Sequence, residues 1–284
     1  MLFNFFKMKK FAEKLDFKIP QELQPYIVAA ILGESDTVIH TTYPVHPTGF
    51  PLIIYVYSDI PILHINGNKV YPKSRLHLAG QIYNASCAIE IKGMFGQIGF
   101  VLYPTAPYYL FHKSGEYSLN KWKDFKETSP LNIETLYHTL ENCKNVIERL
   151  DILIGFLQQL HLNRLPAIKW LDQSILEIYK SNGNISQEEI AEIANISLRH
   201  FRRRFKEVIG VPPKYFCKVV QLNTVFELLN GGDTDKLHYL ALDCGYYDQA
   251  HFIKDFKKLI GESPNNFLTG KHAYVKTYLG RVGV

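Results

Sequence analysis

Cysteine is scarce in this sequence. There are four among 284 residues, Cys87, Cys143, Cys217 and Cys244, far apart and without a C-x-x-C pair. That excludes a disulfide-stapled scaffold and offers no zinc-ligand spacing, so the thiols are expected as small buried apolar groups in a reducing compartment. No run reaches about eighteen uncharged apolar residues, so no membrane span is expected. The opening MLFNFFKMKKFAEK is broken by Lys7, Lys9 and Lys10 and is followed by no small-residue cleavage site, which argues against a signal peptide and for a cytoplasmic protein. The sequence also lacks G-x-S-x-G, P-loop and dinucleotide-glycine motifs. A metal site in a β-rich domain would need an H-x-H pair with a nearby Glu, and His40, His46, His64 and His77 are isolated. No enzymatic activity and no cofactor is expected. Net charge is only +5, so any surface for a polyanion must be local.

What is present is a core-forming composition, 46% hydrophobic and 21% charged, in an order that changes along the chain. From about 37 to 112 short runs rich in Ile, Val and Tyr recur: LIIYVYS, ILHI, RLHLAGQ, AIEIKG and QIGFVLY. Turn signals at Asn66-Gly67-Asn68, Pro61, Pro72, Gly93 and Gly96 separate them, and a spacing of roughly ten residues predicts a sandwich or barrel. Tyr43, His46, Tyr55 and Tyr57, with Tyr83 and Tyr103, would give a pocket aromatic walls with polar tips, suited to a small polar ligand. The competing reading is that tyrosines are ordinary residues of half-buried strands. From Leu131 the pattern is helical. Leu136, Leu140, Cys143, Ile147, Leu150, Ile154 and Leu157 recur at alternating steps of four and three, the seam of a coiled coil or of a helix packed within the chain. Ile152, Leu153 and Phe156 widen the stripe beyond a strict seam.

Beyond Pro166 a unit occurs twice. Aligned at an offset of fifty-one, His200 meets His251, Phe201 Phe252, Phe205 Phe256, Lys206 Lys257, Ile209 Ile260, Gly210 Gly261, Pro213 Pro264 and Phe216 Phe267: eight identities in seventeen positions. Upstream, IAEIANIS parallels LALDCGYYD with one extra residue in the second turn. This is a duplicated supersecondary unit. Each copy reads as helix, short turn, helix. In the first, Gln187 to Ala194 starts at Ser186 or Gln187 with Glu188 and Glu189 where the helix dipole favours acid, and Ser197 caps the next helix. Pro212 to Leu229, closed by Gly231-Gly232, forms a long helix between the copies.

The second helix of the first copy, SLRHFRRRFKEVIG, divides by face. Arg199, Arg202, Arg203 and Lys206 share one arc of roughly 100°, and Leu198, Phe201, Phe205, Val208 and Ile209 occupy the other side. Arg204 belongs to neither and is left to a flanking phosphate or to solvent. A solvated helix face ordinarily mixes signs, whereas this stripe carries one sign at repulsive spacing. A polyanion relieves that repulsion; the major groove of B-DNA admits one helix, and Arg reads guanine bidentately. The equivalent face of the second copy, Ala250, Ile253, Lys254 and Lys257 with Gln249 at its edge, is less charged, so weaker binding is expected from it. His200 and His251, in equivalent slots, suit helix-end packing or phosphate contact.

The repeated H-F-x-x-x-F-K-x-x-x-G-x-x-P, the A-x-x-C-G-Y-x-D-x-x-H-F turn and the intervening helix resemble the AraC/XylS family of bacterial transcription regulators, over about 167 to 270. The resemblance implies base-reading positions at Arg199, Arg202 and Arg203 in the first unit and at Gln249, Ile253 and Lys254 in the second, with His200, Lys206, His251 and Lys257 beside them. Gln221, Val225 and Ile253-Lys254 depart from residues common in the family. It also implies an N-terminal β-rich domain that senses an effector or dimerises. The expected fold is α+β: a sandwich- or barrel-like sensing domain (1–130), a helical connector and candidate dimerisation helix (131–166), and an all-α DNA-binding domain (167–284) with helix-turn-helix units at about 187–210 and 237–261 joined by a long helix. The expected partners are promoter DNA, a small-molecule effector, RNA polymerase for an activator, and a second copy through the N-terminal domain or residues 136–157. The alternative is a sensor-scaffold whose basic helical half binds an acidic protein.

Overall fold

The computed structural model describes residues 7–8, 12–228, 241–242 and 244–269. Among the described residues eleven strands form two antiparallel sheets: β1 (Lys7–Met8), β2 (Ala12–Leu15), β3 (Ile27–Glu34), β4 (Ile39–Val45), β5 (Leu52–Val56), β6 (Ile62–Ile65), β7 (Asn68–Val70), β8 (Leu76–Ala79), β9 (Cys87–Gly93), β10 (Gly96–Leu102) and β11 (Trp122–Asp124). Seven strands run in the order β1-β2-β3-β10-β5-β8-β11, and four in the order β4-β9-β6-β7. The Asn66-Gly67 turn joins β6 to β7, both residues at positive φ (51° and 79°), the backbone that a two-residue hairpin loop requires. The sequence placed β-structure from about residue 37, but the sheet begins earlier. Strand β3 reads IVAAILGE, is buried at most positions and pairs with β2 on one side and β10 on the other. A strand covered on both faces loses the polar alternation that marks a half-exposed one.

Strand β5 shows how the sheet divides its side chains. Ile53 and Tyr55 enter a large core with Phe100, whereas Ile54 and Val56 join Ala79 on the opposite face, as the two-residue period requires. Helices α1 (Ala106–Phe111), α2 (Phe125–Thr128), α3 (Glu134–Asn142) and α4 (Val146–Leu162) lie along the first of these faces. Here the heptad pattern is explained. Leu136, Leu140, Leu150, Ile154 and Leu157 are buried in that same core, so these positions of the seam pack within the chain. It is also interrupted: Cys143 is extended (ψ 138°), α4 restarts at Asn145, whose side chain accepts the Glu148 N–H, and Ile147 is exposed. The expected connector is therefore part of the front domain's core.

The remaining helices are α5 (Lys169–Lys180), α6 (Gln187–Ile193), α7 (Leu198–Ile209), α8 (Pro213–Leu228), α9 (Gln249–Ile260) and α10 (Pro264–Thr269). Helix α5 closes through Asn182 and Gly183, both at positive φ, with the Gly183 N–H donating back to Ile178. No helix among the described residues is long and apolar enough to cross a membrane. Nor do the described residues gather three or more His, Cys, Asp or Glu in a metal-binding group.

Candidate nucleic-acid interface

Helix α6 opens with a reciprocal cap: Ser186 Oγ accepts the Glu189 N–H, and the Glu189 carboxylate accepts the Ser186 N–H. Those bonds hold the Glu189 carboxyl below its ordinary range, keeping a charge where the helix dipole favours it. Asn195, at φ 52°, turns the chain while the Ile196 N–H bonds back to Ala191. Ser197 then accepts the His200 N–H and starts α7, which Gly210 ends at φ 92°. The second unit repeats these devices. The Tyr246 N–H bonds back to Ala241, Gly245 takes φ 86°, Asp248 accepts the His251 N–H, and Gly261 ends α9 at φ 94°. Each such cap stabilises its helix by about 1 kcal/mol. The offset is fifty between the two turns and fifty-one between the two helices, so the extra residue falls at Tyr246-Tyr247, and Tyr247 is 89% exposed. The first helix of this unit, expected from 237, lies mostly outside the described residues.

Both second helices bury a phenylalanine pair. Phe201 and Phe205 of α7, with Val208 and Ile209, pack on Leu171 and Ile178 of α5 and Phe216 and Val220 of α8. Phe252, Phe256 and Leu259 of α9 pack on Val219, Leu222 and Val225 of α8. The long helix thus serves both units, one flank for each. In sequence α8 reads as apolar on a wide arc, and its two clients explain that width.

Outward, Arg199, His200, Arg202, Arg203 and Lys206 of α7 are all exposed. Two acids reach the stripe from other elements, which the helix's own sequence could not show. Arg202 donates from Nε to Gln187 Oε1 at 2.9 Å and from Nη2 to Glu188 Oε1 at 3.3 Å. Lys206 Nζ lies 3.0 Å from Glu116 Oε1 of the front domain. Exposed pairs of this kind contribute about 0.2–1 kcal/mol and yield readily to a stronger anion. His200 packs its ring 5.7 Å from that of Trp170.

Arg204 is partly buried and turns toward the front domain. Its guanidinium lies over the Tyr108 ring at 5.0 Å, donates to the Tyr108 hydroxyl at 2.8 Å and pairs with Glu207. That joins α7 to α1 of the front domain. Beside it the backbones of Gly115 and Gly210 approach so closely that a Cβ on Gly115 would fall 2.0 Å from the Gly210 nitrogen. At the position equivalent to Arg204, α9 has Asp255, which is buried and ion-paired with Lys218 of α8 and 3.2 Å from His251 Nε2. Gln249, Ala250, Lys254 and Lys257 are exposed, whereas Ile253 is half-buried against the α9 core and His251 lies edge-on to Tyr246.

In the front domain a cavity of about 150 Å³ opens between the two sheets. Of the proposed ligand residues it takes only His46. Tyr43 packs on the core of the second helix-turn-helix unit. Tyr55 belongs to the opposite face of β5, and Tyr57 hydrogen-bonds Glu34 under the Arg149 guanidinium. The period-two pattern placed both of these tyrosines on strands but not the cavity on the other side of β5.

Residues 190–270 match the family described as a helix-turn-helix domain. Curated relatives include the HTH-type transcriptional activator RhaS of Escherichia fergusonii, 31% identical over 39% of this chain and 37% of that protein. An uncharacterized HTH-type transcriptional regulator of Haemophilus influenzae is 36% identical over 28% of this chain and 26% of that one. The chain thus spans 26% to 37% of the length of these relatives. Among solved structures, ToxT from Vibrio cholerae aligns over 85% of this chain and 98% of that one at 13% identity and a TM-score of 0.47.

Proposed function

We propose that this chain, whose residues 190–270 match a helix-turn-helix domain family, is a sequence-specific transcription regulator of the AraC type acting on promoter DNA in the cytoplasm. Helices α7 and α9 enter successive major grooves, about 34 Å apart, on one face of the duplex. Arg199, Arg202 and Arg203 read bases, and Lys206 and His200 approach the backbone. On α9, Gln249 and Lys254 make the contacts and Lys257 meets a phosphate, while Ile253 and His251 chiefly hold the helix on its core. The front domain, 1–130 with the connector 131–166 packed into it, senses an effector or dimerises through its sheets; residues 167–284 bind DNA, and RNA polymerase is the further partner of an activator.

The observation that carries this reading is the exposed, single-sign face of α7, backed by Phe201 and Phe205 and set on a scaffold that the chain builds twice. Arg202 and Lys206 are held meanwhile by the exposed acids Glu188 and Glu116, weak pairs that a polyanion can displace. The test is a mobility-shift assay on promoter fragments with the double variant Arg202→Ala, Arg203→Ala. Loss of tight binding together with flattened base preference is expected. Retained specific binding would remove these residues from the reading, and wild-type binding to every polyanion alike, with steep salt dependence, would favour the acidic-partner alternative.

A further inference from the structure

A second cavity, of about 290 Å³, lies where the front domain meets α5. Its front-domain wall comes from two segments that are tied together. The Tyr103 N–H donates to the Tyr26 carbonyl at 2.9 Å, and both rings line the cavity. Tyr109 of α1 is the third ring in the lining, buried and edge-on to Tyr26 with centroids 6.4 Å apart. The opposite wall is α5. There Ile175 and Leu176 stand three and four residues after Asp172, so the three share one side of the helix. Leu176 keeps 46% of its surface exposed, an apolar flank available to a guest.

The carboxylate sets the chemistry of this cavity. The Tyr109 hydroxyl donates to the two Asp172 oxygens at 3.0 and 3.1 Å and accepts the Ile168 N–H at 2.9 Å, which holds the acid in place. Burial pushes the Asp172 carboxyl above its ordinary value, against the pull of the Tyr109 and Thr105 hydroxyls. Among the described residues no Lys, Arg or His pairs with it; the Arg164 guanidinium bonds the Tyr26 hydroxyl instead. A neutral acceptor such as Asn would hold Tyr109 equally well, so the hydrogen bonds do not account for the charge. A half-buried anion without a counter-charge is costly. A cation would offset that cost, and an ammonium brings three donors to the lone pairs that Tyr109 and Thr105 leave open. Phenol rings beside it add their attraction for positive charge. The volume of about 290 Å³ is roughly twice that of an apolar cavity known to hold benzene, room for one ring and a short alkyl chain.

We propose that this cavity binds a primary organic ammonium ion with an apolar body the size of an arylethylamine, its nitrogen on Asp172 among Tyr26, Tyr103 and Tyr109 and its body along Ile175 and Leu176. Binding of this kind is independent of the regulator reading above. Selectivity for charge follows from the wall chemistry. A neutral alcohol of the same shape gains the apolar flank but not the ion pair, and a carboxylate meets the like charge of Asp172. One wall belongs to the front domain and the other to α5, so the bound amine touches both.

The test titrates the full chain by ¹⁹F NMR with para-fluorophenethylamine, and with para-fluorophenethyl alcohol and para-fluorophenylacetate as its neutral and anionic counterparts. The amine is expected to bind about tenfold or more tightly than the alcohol, as loss of a desolvated charge pair requires, and the acetate not to bind. Asp172→Asn keeps an acceptor for the Tyr109 hydroxyl and should abolish the preference for amine over alcohol. Leu176→Trp, at an exposed position, should weaken both by filling the cavity, and it carries the test if Asp172→Asn does not fold. Failure of the amine to bind, equal binding of amine and alcohol, or amine binding that both variants leave intact overturns the assignment. Preferential binding of the acetate overturns it as well, by placing the anchor at Arg164. A chain that binds the amine but no promoter DNA ends the regulator reading and leaves this site standing; one that binds promoter DNA but no amine does the reverse.

Discussion

Helices α7 and α9 are the same device used in two ways. They share an N-cap bonded to a histidine N–H, a buried phenylalanine pair four residues apart and a glycine at positive φ to stop. They differ on the outward face, four cations against Ala250, Ile253, Lys254 and Lys257, and at one flanking position. Arg204 ties α7 to Tyr108 of the front domain, and Asp255 ties α9 to Lys218 of the helix between the units. The scaffold residues are the ones duplication preserved, because the core permits little else; the outward and flanking residues were free to diverge, and each copy acquired its own attachment. Through these two residues the first unit is fastened to the front domain and the second to the helix between the units.

The largest test of this contrast compares the two outward faces. Arg202→Ala with Arg203→Ala should cost about 2–6 kcal/mol of specific binding, from two contacts of about 1–3 kcal/mol each, whereas Gln249→Ala with Lys254→Ala should cost less than about 2 kcal/mol. Equal losses in a promoter titration would end the claim that the units are unequal. Next in size is the shared scaffold. Phe205→Ala and Phe256→Ala each empty a fully buried site and should destabilise the fold by about 3–5 kcal/mol. Similar shifts in urea unfolding are expected; a cost below 1 kcal/mol at either would mean that the two cores are not equivalent.

Asp255 carries the third test. Replacing it with Ala leaves Lys218 without its partner. Removing one member of a fully buried pair costs about 3–5 kcal/mol, but the Lys218 side chain keeps 26% of its surface, so about 2 kcal/mol is expected by urea unfolding. Changing Lys218→Met together with Asp255→Ala should recover much of the loss, since an apolar pair makes no uncompensated charge.

How much of this was legible before any coordinates follows from what each residue depends on. The caps at Ser186 and Ser197 act within one turn of their own helix, so type and spacing sufficed. The face division of α7 needed only its period. Arg204 was unassignable because its partner, Tyr108, is ninety-six residues away and lies on a six-residue helix without periodicity. The heptad from Leu136 to Leu157 could not announce its partner either: a seam is the same pattern whether it meets a second chain or a sheet. The cavity between the sheets was not legible because Tyr43, Tyr55 and Tyr57 lie elsewhere in the fold, and many of its walls, such as Leu52, Ile54, Leu63 and Ile89, read as ordinary core.

The smallest effect probes the attachment of the first unit. Lys206 is paired with Glu116 in the structure and stands on the face expected to meet DNA, so the carboxylate and a phosphate compete for one ammonium. Both side chains keep more than half their surface, 51% and 59%, which places the pair among exposed ones contributing about 0.2–1 kcal/mol. Glu116→Gln removes the competitor while preserving shape, so promoter binding should tighten by up to about fivefold at low salt and by less as salt screens the pair. The analogous position on α9, Lys257, is exposed, and among the described residues no front-domain acid pairs with it, so Lys257→Gln should only weaken binding and lower the salt slope by about one. If Glu116→Gln left affinity unchanged at every salt concentration, Lys206 would be a tether to the front domain and no part of the DNA surface.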